Sequence, residues 1–284
     1  MHGSGLVAAL LIALFMLTQG AAAQTPDEHV TFGAAPYVLG RLQQRLALER
    51  GEMAVATSQA VDGYLSKPEG TGPFAAIVYL HGCNGLSERT RRYFAGVLTG
   101  WGYVVLAVDS FGSRGIAQAC DRPMPDCQAD AWGALAYLSS LPFVDRARIG
   151  VVGSSQGGIV TMRFASTHDV KIYDVPDDLT FKVAVAYYPI CGVATPWLAV
   201  PTLILIGDKD DWSPATNCEQ WLSQRPDKGD AVRLQVYPGA YHAFDFPGLK
   251  YGLSSFGHWL QYDADAAARS TAEMHDFLAA HLGK

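Results

Sequence analysis

The sequence predicts an α/β fold in which a mainly parallel central sheet carries helices on both faces. Three observations lead to it. Short apolar runs rich in β-branched residues recur along the chain, as strands buried on both faces require. Between them lie segments with apolar residues at helical spacing. A Gly-x-Ser-x-Gly turn stands between one such strand and one such helix. Alternation of this kind builds a parallel sheet covered on both sides.

Taken in order, a mixed polar stretch from Gln24 to about Arg50, with a helix over 41–48, is expected to lie across the body of the domain. Residues 75–80 form the first apolar run. Ser87 is placed to cap the next helix, which sets Tyr93, Phe94, Val97 and Leu98 on one face and is expected to stop at Gly100. A second strand is predicted over 103–108 and a helix over 130–141, with Ala131, Leu135 and Leu138 at helical spacing. Further strands are predicted over 148–152, 181–187, 201–206 and 232–237, and a helix is predicted to start near Pro214. Met274, Phe277, Leu278 and Leu282 mark one face of a C-terminal helix.

With 284 residues, 49% apolar and 17% charged, the chain suits one domain over 24–284. A net charge of −6 with scattered lysines and arginines argues against a nucleic-acid partner. The apolar run from Leu6 to Leu17, followed by Ala21-Ala22-Ala23, predicts a signal peptide over 1–23 and a periplasmic or secreted protein. That run is short of the roughly 20 residues a membrane span needs, so no stable span is expected after cleavage. Export permits disulfides among the five cysteines. Cys120–Cys127 and Cys191–Cys218 are the favoured pairs, with Cys83 as the odd thiol, against the alternative that all five are buried apolar side chains. No CxxC or HxxxH pair is present, and neither a metal nor an organic cofactor is expected.

Chemistry in such sheets sits beyond the carboxyl ends of the strands. After the 148–152 strand comes Gly153-Ser154-Ser155-Gln156-Gly157-Gly158, then the helix-compatible 159–165. In that context the turn is a nucleophile elbow with Ser155 at its tip, flanked by glycines because larger side chains would clash. A serine needs a base, which in this chain order comes later. Of the eight histidines, His2 and His29 precede the sheet, His81 precedes the elbow, His168 ends the elbow helix, and His275 and His281 lie in the terminal helix. His242 follows the 232–237 strand by a short turn and is the candidate base. His258 is its competitor, in a loop with no strand to position it. The orienting acid should follow the 201–206 strand, where Asp208, Asp210 and Asp211 all qualify. Gln156 N–H and, from the loop after residue 80, Cys83 N–H are the expected oxyanion donors.

Five motifs in this order, His81-Gly82-Cys83-Asn84-Gly85, 109–115, 153–158, 207–214 and Tyr241-His242-Ala243-Phe244, resemble the dienelactone hydrolase family over nearly all of the chain from about residue 50. The resemblance implies the α/β-hydrolase fold. Its G-x-x-D-x-x-x-P pattern implies Asp210 as the acid. The founding members use a cysteine where Ser155 stands and are intracellular, so a serine ester hydrolase outside the cytoplasm is expected rather than the namesake activity. Phe111, Trp212, Phe244, Phe246 and Trp259 are candidate substrate-binding aromatics, and Arg114 is a candidate partner for a substrate carboxylate. The expected substrate is a small-molecule or polymeric ester, cleaved through an acyl-enzyme. The alternatives are a peptidase or acyltransferase on the same triad, and a non-catalytic binding protein.

Overall fold

A computed structural model of the chain describes residues 27–52, 56–165, 172–192, 198–225 and 232–283. The signal peptide expected at 1–23 and His168 lie outside the described residues.

The elements are β1 (Glu28–Gly33), α1 (Arg41–Glu49), β2 (Ala60–Ser66), β3 (Phe74–Leu80), α2 (Glu88–Gly100), β4 (Val104–Asp109), α3 (Cys127–Ser140), β5 (Val144–Ser154), α4 (Gln156–Ala165), β6 (Ala184–Tyr187), β7 (Thr202–Gly207), α5 (Ala215–Ser223), β8 (Val232–Tyr237), β9 (Leu253–Ser255), β10 (His258–Leu260) and α6 (Ala264–Leu282). An eight-stranded sheet runs β1-β2-β4-β3-β5-β6-β7-β8. From β4 to β8 every pairing is parallel, while β1 and β2 are antiparallel additions at one edge.

The continuous apolar runs have the expected cause. In β3, Ala76, Val78 and Leu80 join one core cluster while Ala75, Ile77 and Tyr79 join the other, so each face of the strand is covered. Leu135 and Leu138 of α3 lie under one face, Leu98 of α2 and Leu278 of α6 under the other, all fully buried. Each such side chain contributes about 1.5–3 kcal/mol of burial free energy.

Helix ends obey local chemistry. Ser87 Oγ accepts from Thr90 N at 3.1 Å and caps α2. Gly100 is the last residue of the helix, where the stop is expected, but it does not itself turn the chain. The reversal comes at Gly102, whose φ of +92° turns the chain so that Tyr103 N can reach Leu98 O at 3.1 Å. Asp126 caps α3 by accepting from Ala129 N at 3.0 Å, starting that helix earlier than its apolar spacing predicts.

Two strand pairs are absent from the sequence reading. β1 and β2 alternate buried and solvent-facing residues and contain Glu28, His29, Thr31, Asp62 and Gly63, so they lack the continuous apolar signature. His29 is thereby part of the sheet. The β9–β10 hairpin lies in the segment expected to be a loop, and His258 opens β10. The segment turns back beside the strand ends, with Gln261 N donating to His242 O at 3.3 Å and Asp263 N to Phe244 O at 2.9 Å.

The disulfides are Cys83–Cys120 and Cys191–Cys218. The second matches expectation and the first corrects the Cys120–Cys127 pairing. Ala119 N donates to Cys83 O at 2.8 Å, which draws Cys120 alongside Cys83. Cys127 instead opens α3 with its thiol turned inward, taking a hydrogen bond from Gln156 Nε2 at 3.3 Å. Burial pushes that thiol up to about 12, which leaves it inert. No described helix is long and apolar enough to cross a membrane.

Candidate active site

The carboxyl ends of β3, β5, β6, β7 and β8 come together at one edge of the sheet, in register: Leu80 lies beside Gly153, Ser154 beside Tyr187 and Gly207 beside Tyr237. Ser155 sits between the end of β5 and the start of α4 with φ of +53°, in the left-handed region that a side chain adopts only under constraint. The surroundings impose it. A Cβ at Gly153 would lie 2.2 Å from Gly157 O, and one at Gly157 would lie 2.1 Å from Leu80 O. The two glycines therefore let α4 leave the sheet at once, and Ser155 is pushed out at the apex. Its own N–H donates to Tyr187 O at 2.9 Å, and the start of α4 faces its hydroxyl with a partial positive charge.

His242 approaches from the turn after β8. Its Nε2 lies 3.0 Å from Ser155 Oγ and its Nδ1 2.8 Å from Asp210 Oδ2. An ionised carboxylate only accepts, so Nδ1 carries the proton and Nε2 is free to accept from the serine. Asp210 is itself fixed, because its Oδ1 accepts from Trp212 N at 3.0 Å and Ser213 N at 2.7 Å. Both Asp210 and His242 are buried. The neighbouring aspartates do other work. Asp208 accepts from Gly239 N at 2.6 Å and ties the turn after β8, while the half-exposed Asp211 lies 3.5 Å from His258 Nδ1. His258 stacks on Trp212 at 4.7 Å, and the ring within 3.0 Å of Ser155 Oγ is that of His242.

Cys83 and Gln156 border the same cavity as Ser155, and Gly82 brings the loop so near that a Cβ there would lie 3.4 Å from Ser155 Cβ. The Cys83 side chain is held by its disulfide and the Gln156 side chain by Cys127.

Comparison with known proteins places the chain in a family. The model of the dienelactone hydrolase family matches residues 61–282, most of the chain. The chain belongs to the dienelactone hydrolase family. It is thus a hydrolase acting on ester bonds. Among relatives, "Putative carboxymethylenebutenolidase" of Methylorubrum extorquens is 25% identical over 221 residues, covering 68% of this chain and 72% of that protein. The acylamino-acid-releasing enzyme of Arabidopsis thaliana is 24% identical over 212 residues, covering 58% of this chain. The match spans 26% of that longer protein. In fold, the chain is similar to a dienelactone hydrolase-like promiscuous phosphotriesterase from metagenomic libraries, with a TM-score of 0.64, 19% identity, and coverage of 91% of this chain and 100% of that one.

In this member of the dienelactone hydrolase family, Ser155 stands between two cavities. The larger, of about 330 Å³, is lined by Tyr79, Phe94, Tyr188, Trp212, Asp245 and Phe246 among others. The smaller, of about 270 Å³, runs beside the Cys83–Cys120 loop and includes Met124, Ile159, Ile190 and Trp212. Of the aromatics expected at the mouth, Trp212 and Phe246 are there. Four of the expected substrate contacts are corrected. Phe111 is fully buried, edge-on to His81 at 4.6 Å. Phe244 is fully buried among Tyr187, Tyr188 and Tyr237. Arg114 is engaged by buried Asp130 through two bonds of 2.8 and 2.7 Å, so its fork is already filled. Trp259 packs over Gly252 on the outer hairpin and lines neither cavity. Among the described residues no group of three or more His, Cys, Asp or Glu side chains is arranged to hold a metal ion.

Two cavity residues escaped the sequence reading. Asp245 is buried and accepts from Tyr188 OH at 2.7 Å, and the Tyr188 ring lies 4.6 Å from that of His242. The available signal was an acid inside the otherwise apolar Ala243-Phe244-Asp245-Phe246, three residues after the histidine. Burial pushes the Asp245 carboxyl up to about 6, although the Tyr188 hydroxyl and nearby His242 act the other way. An unfolded aspartate titrates near about 4. Between those values the folded chain holds the extra proton, so the contribution of this group to stability is most favourable below about pH 4, falls toward about pH 6 and stays lowered above it. Asp245→Asn is therefore expected to stabilise the protein near pH 8 by up to about 3 kcal/mol and hardly at all near pH 4. Denaturant midpoints at the two pH values check this, and an equal effect at both would refute the burial argument.

Proposed function

We propose that the protein is a serine carboxylesterase that works through an acyl-enzyme, with Ser155 as nucleophile, His242 as general base and Asp210 as the residue that orients it. The observation that carries this reading is the unbroken chain of 3.0 and 2.8 Å contacts from Ser155 Oγ through the His242 ring to Asp210. As Ser155 Oγ attacks the ester carbonyl carbon, its proton passes to His242 Nε2, and the imidazolium is stabilised by Asp210. Negative charge gathers on the former carbonyl oxygen, for which the Cys83 and Gln156 N–H groups are the donors. The tetrahedral intermediate expels the alcohol, which takes the proton from His242. Water then repeats the sequence on the acyl-enzyme with the same base, releasing the acid and restoring Ser155.

Trp212 belongs to both cavities, so an ester held at Ser155 has a compartment for each of its two parts. The two disulfides support work in an oxidising compartment, consistent with the apolar leader. Labelling with a fluorophosphonate and locating the adduct by peptide mass spectrometry tests the reading. The adduct is expected on Ser155, with short acyl esters turned over faster than the matched amides. A labelled residue elsewhere, or an unlabelled protein that still cleaves esters, would overturn it; faster amide cleavage would favour a peptidase.

A further inference from the structure

The larger cavity ends in a polar group that the triad chemistry does not use. Most of its wall is apolar, but at its buried end Asp245 is held by the Tyr188 hydroxyl at 2.7 Å, and Tyr79 OH lies 3.3 Å from Ser154 Oγ. Asp245, Tyr188, Tyr79 and Ser154 are all buried, whereas Ser87, Leu253 and Ser255 stand at the rim. No Lys or Arg among the described residues lines this cavity, and its one histidine is the candidate base. A buried carboxyl without a cationic partner lowers the stability of a fold, and such a group persists where function uses it.

We propose that Asp245, braced by Tyr188, is the specificity-determining residue of the larger cavity and selects esters whose enclosed part carries a hydrogen-bond donor, a hydroxyl or an amine, while rejecting carboxylates. This selectivity rests on the esterase reading for what enters the cavity and adds to it the substrate class. Tyr188 donates to one carboxyl oxygen, which leaves acceptor capacity on the group toward the cavity. A carboxylate in the same place would meet a like charge with no Lys or Arg in the lining to offset it, whereas an apolar group would strand the buried acid without a partner. The cavity, at about 330 Å³, has the size of a small-molecule site, and its aromatic wall fits a ring-sized body behind that donor.

The test separates binding from turnover. With the Ser155→Ala protein, calorimetry near pH 8 compares benzyl acetate with its para-hydroxymethyl, para-aminomethyl and para-carboxylate derivatives, and with their meta isomers. With the active protein, the same acetates and benzoates bearing the same substituents are compared by kcat/KM. The donor-bearing compounds are expected to exceed the parent by about tenfold or more in one of the two series, the carboxylates to fall below it. Asp245→Asn should abolish the preference for the amine and weaken that for the hydroxyl; Asp245→Leu should remove both, and Tyr188→Phe should reduce them. If the donor-bearing, parent and carboxylate compounds bind the Ser155→Ala protein within about twofold of one another, or if Asp245→Leu leaves the ratios unchanged, the inference is wrong. Loss of the esterase reading would look different: no Ser155-dependent turnover of any ester, whatever the calorimetry gives.

Discussion

Ser155→Ala is expected to lower kcat/KM for a simple ester by about 10⁴-fold or more, and to leave the thermal midpoint nearly unchanged. The two halves of that expectation come from the same turn. Removing Oγ deletes the atom 3.0 Å from His242 Nε2, and no other hydroxyl is described at that distance from the ring. The proposed oxyanion donors, the Cys83 and Gln156 N–H groups, are backbone and survive the substitution, so a residual rate above that in water is expected to remain. Alanine at φ of +53° carries the same backbone strain as serine, because both have a Cβ, so little stability changes. Ser155→Gly should also be inactive but more stable, by about 1 kcal/mol, since glycine adopts that region without penalty. Steady-state kinetics with thermal unfolding of both variants checks the pair of outcomes. An alanine variant within tenfold of the parent would end the nucleophile assignment.

The second large effect is expected at Asp210 alone among its neighbours. Asn at 210 still accepts from Trp212 N and Ser213 N through its carbonyl oxygen, so the loop is kept. Its amide then faces His242 Nδ1 as a donor. That forces the proton to Nε2, the atom facing Ser155, and the ring can no longer accept the serine proton. A loss of about 10³- to 10⁴-fold in kcat is expected, with the fold intact. Asp208→Asn keeps an acceptor for Gly239 N, and Asp211→Asn changes a half-exposed group, so each should stay within about threefold of the parent by the size of ordinary surface effects. Near-normal activity of Asp210→Asn, or a comparable loss at 208 or 211, would overturn the assignment.

The three aspartates also show where sequence reasoning ends. Composition and position left them equivalent, and family resemblance ranked them. What separates them physically is which carboxylate is buried against two loop N–H groups and a ring, and that depends on how the 207–214 loop closes over β7 and β8. The same limit explains Cys120. Its nearest cysteine in sequence is Cys127, but the hydrogen bond from Ala119 N to Cys83 O brings a residue 37 positions away into bonding range. Phe111, Phe244 and Arg114 have the chemistry of substrate contacts, and the fold uses them for packing and for neutralising Asp130. An aromatic or an arginine after a strand looks alike in sequence whether it points outward or inward.

By itself the sequence determined the parallel part of the sheet, the helices that cover it, and a serine on a tight turn between a buried strand and a helix. Those features depend on local chemistry: continuous apolar runs, helical spacing, and glycines where a Cβ has no room. Tertiary structure alone decided the antiparallel edge, the Cys83–Cys120 bond, and the buried acid at the end of the larger cavity. Each of those is set by groups distant in the chain, whose meeting depends on how loops close across the strand ends, and no local pattern records that closure.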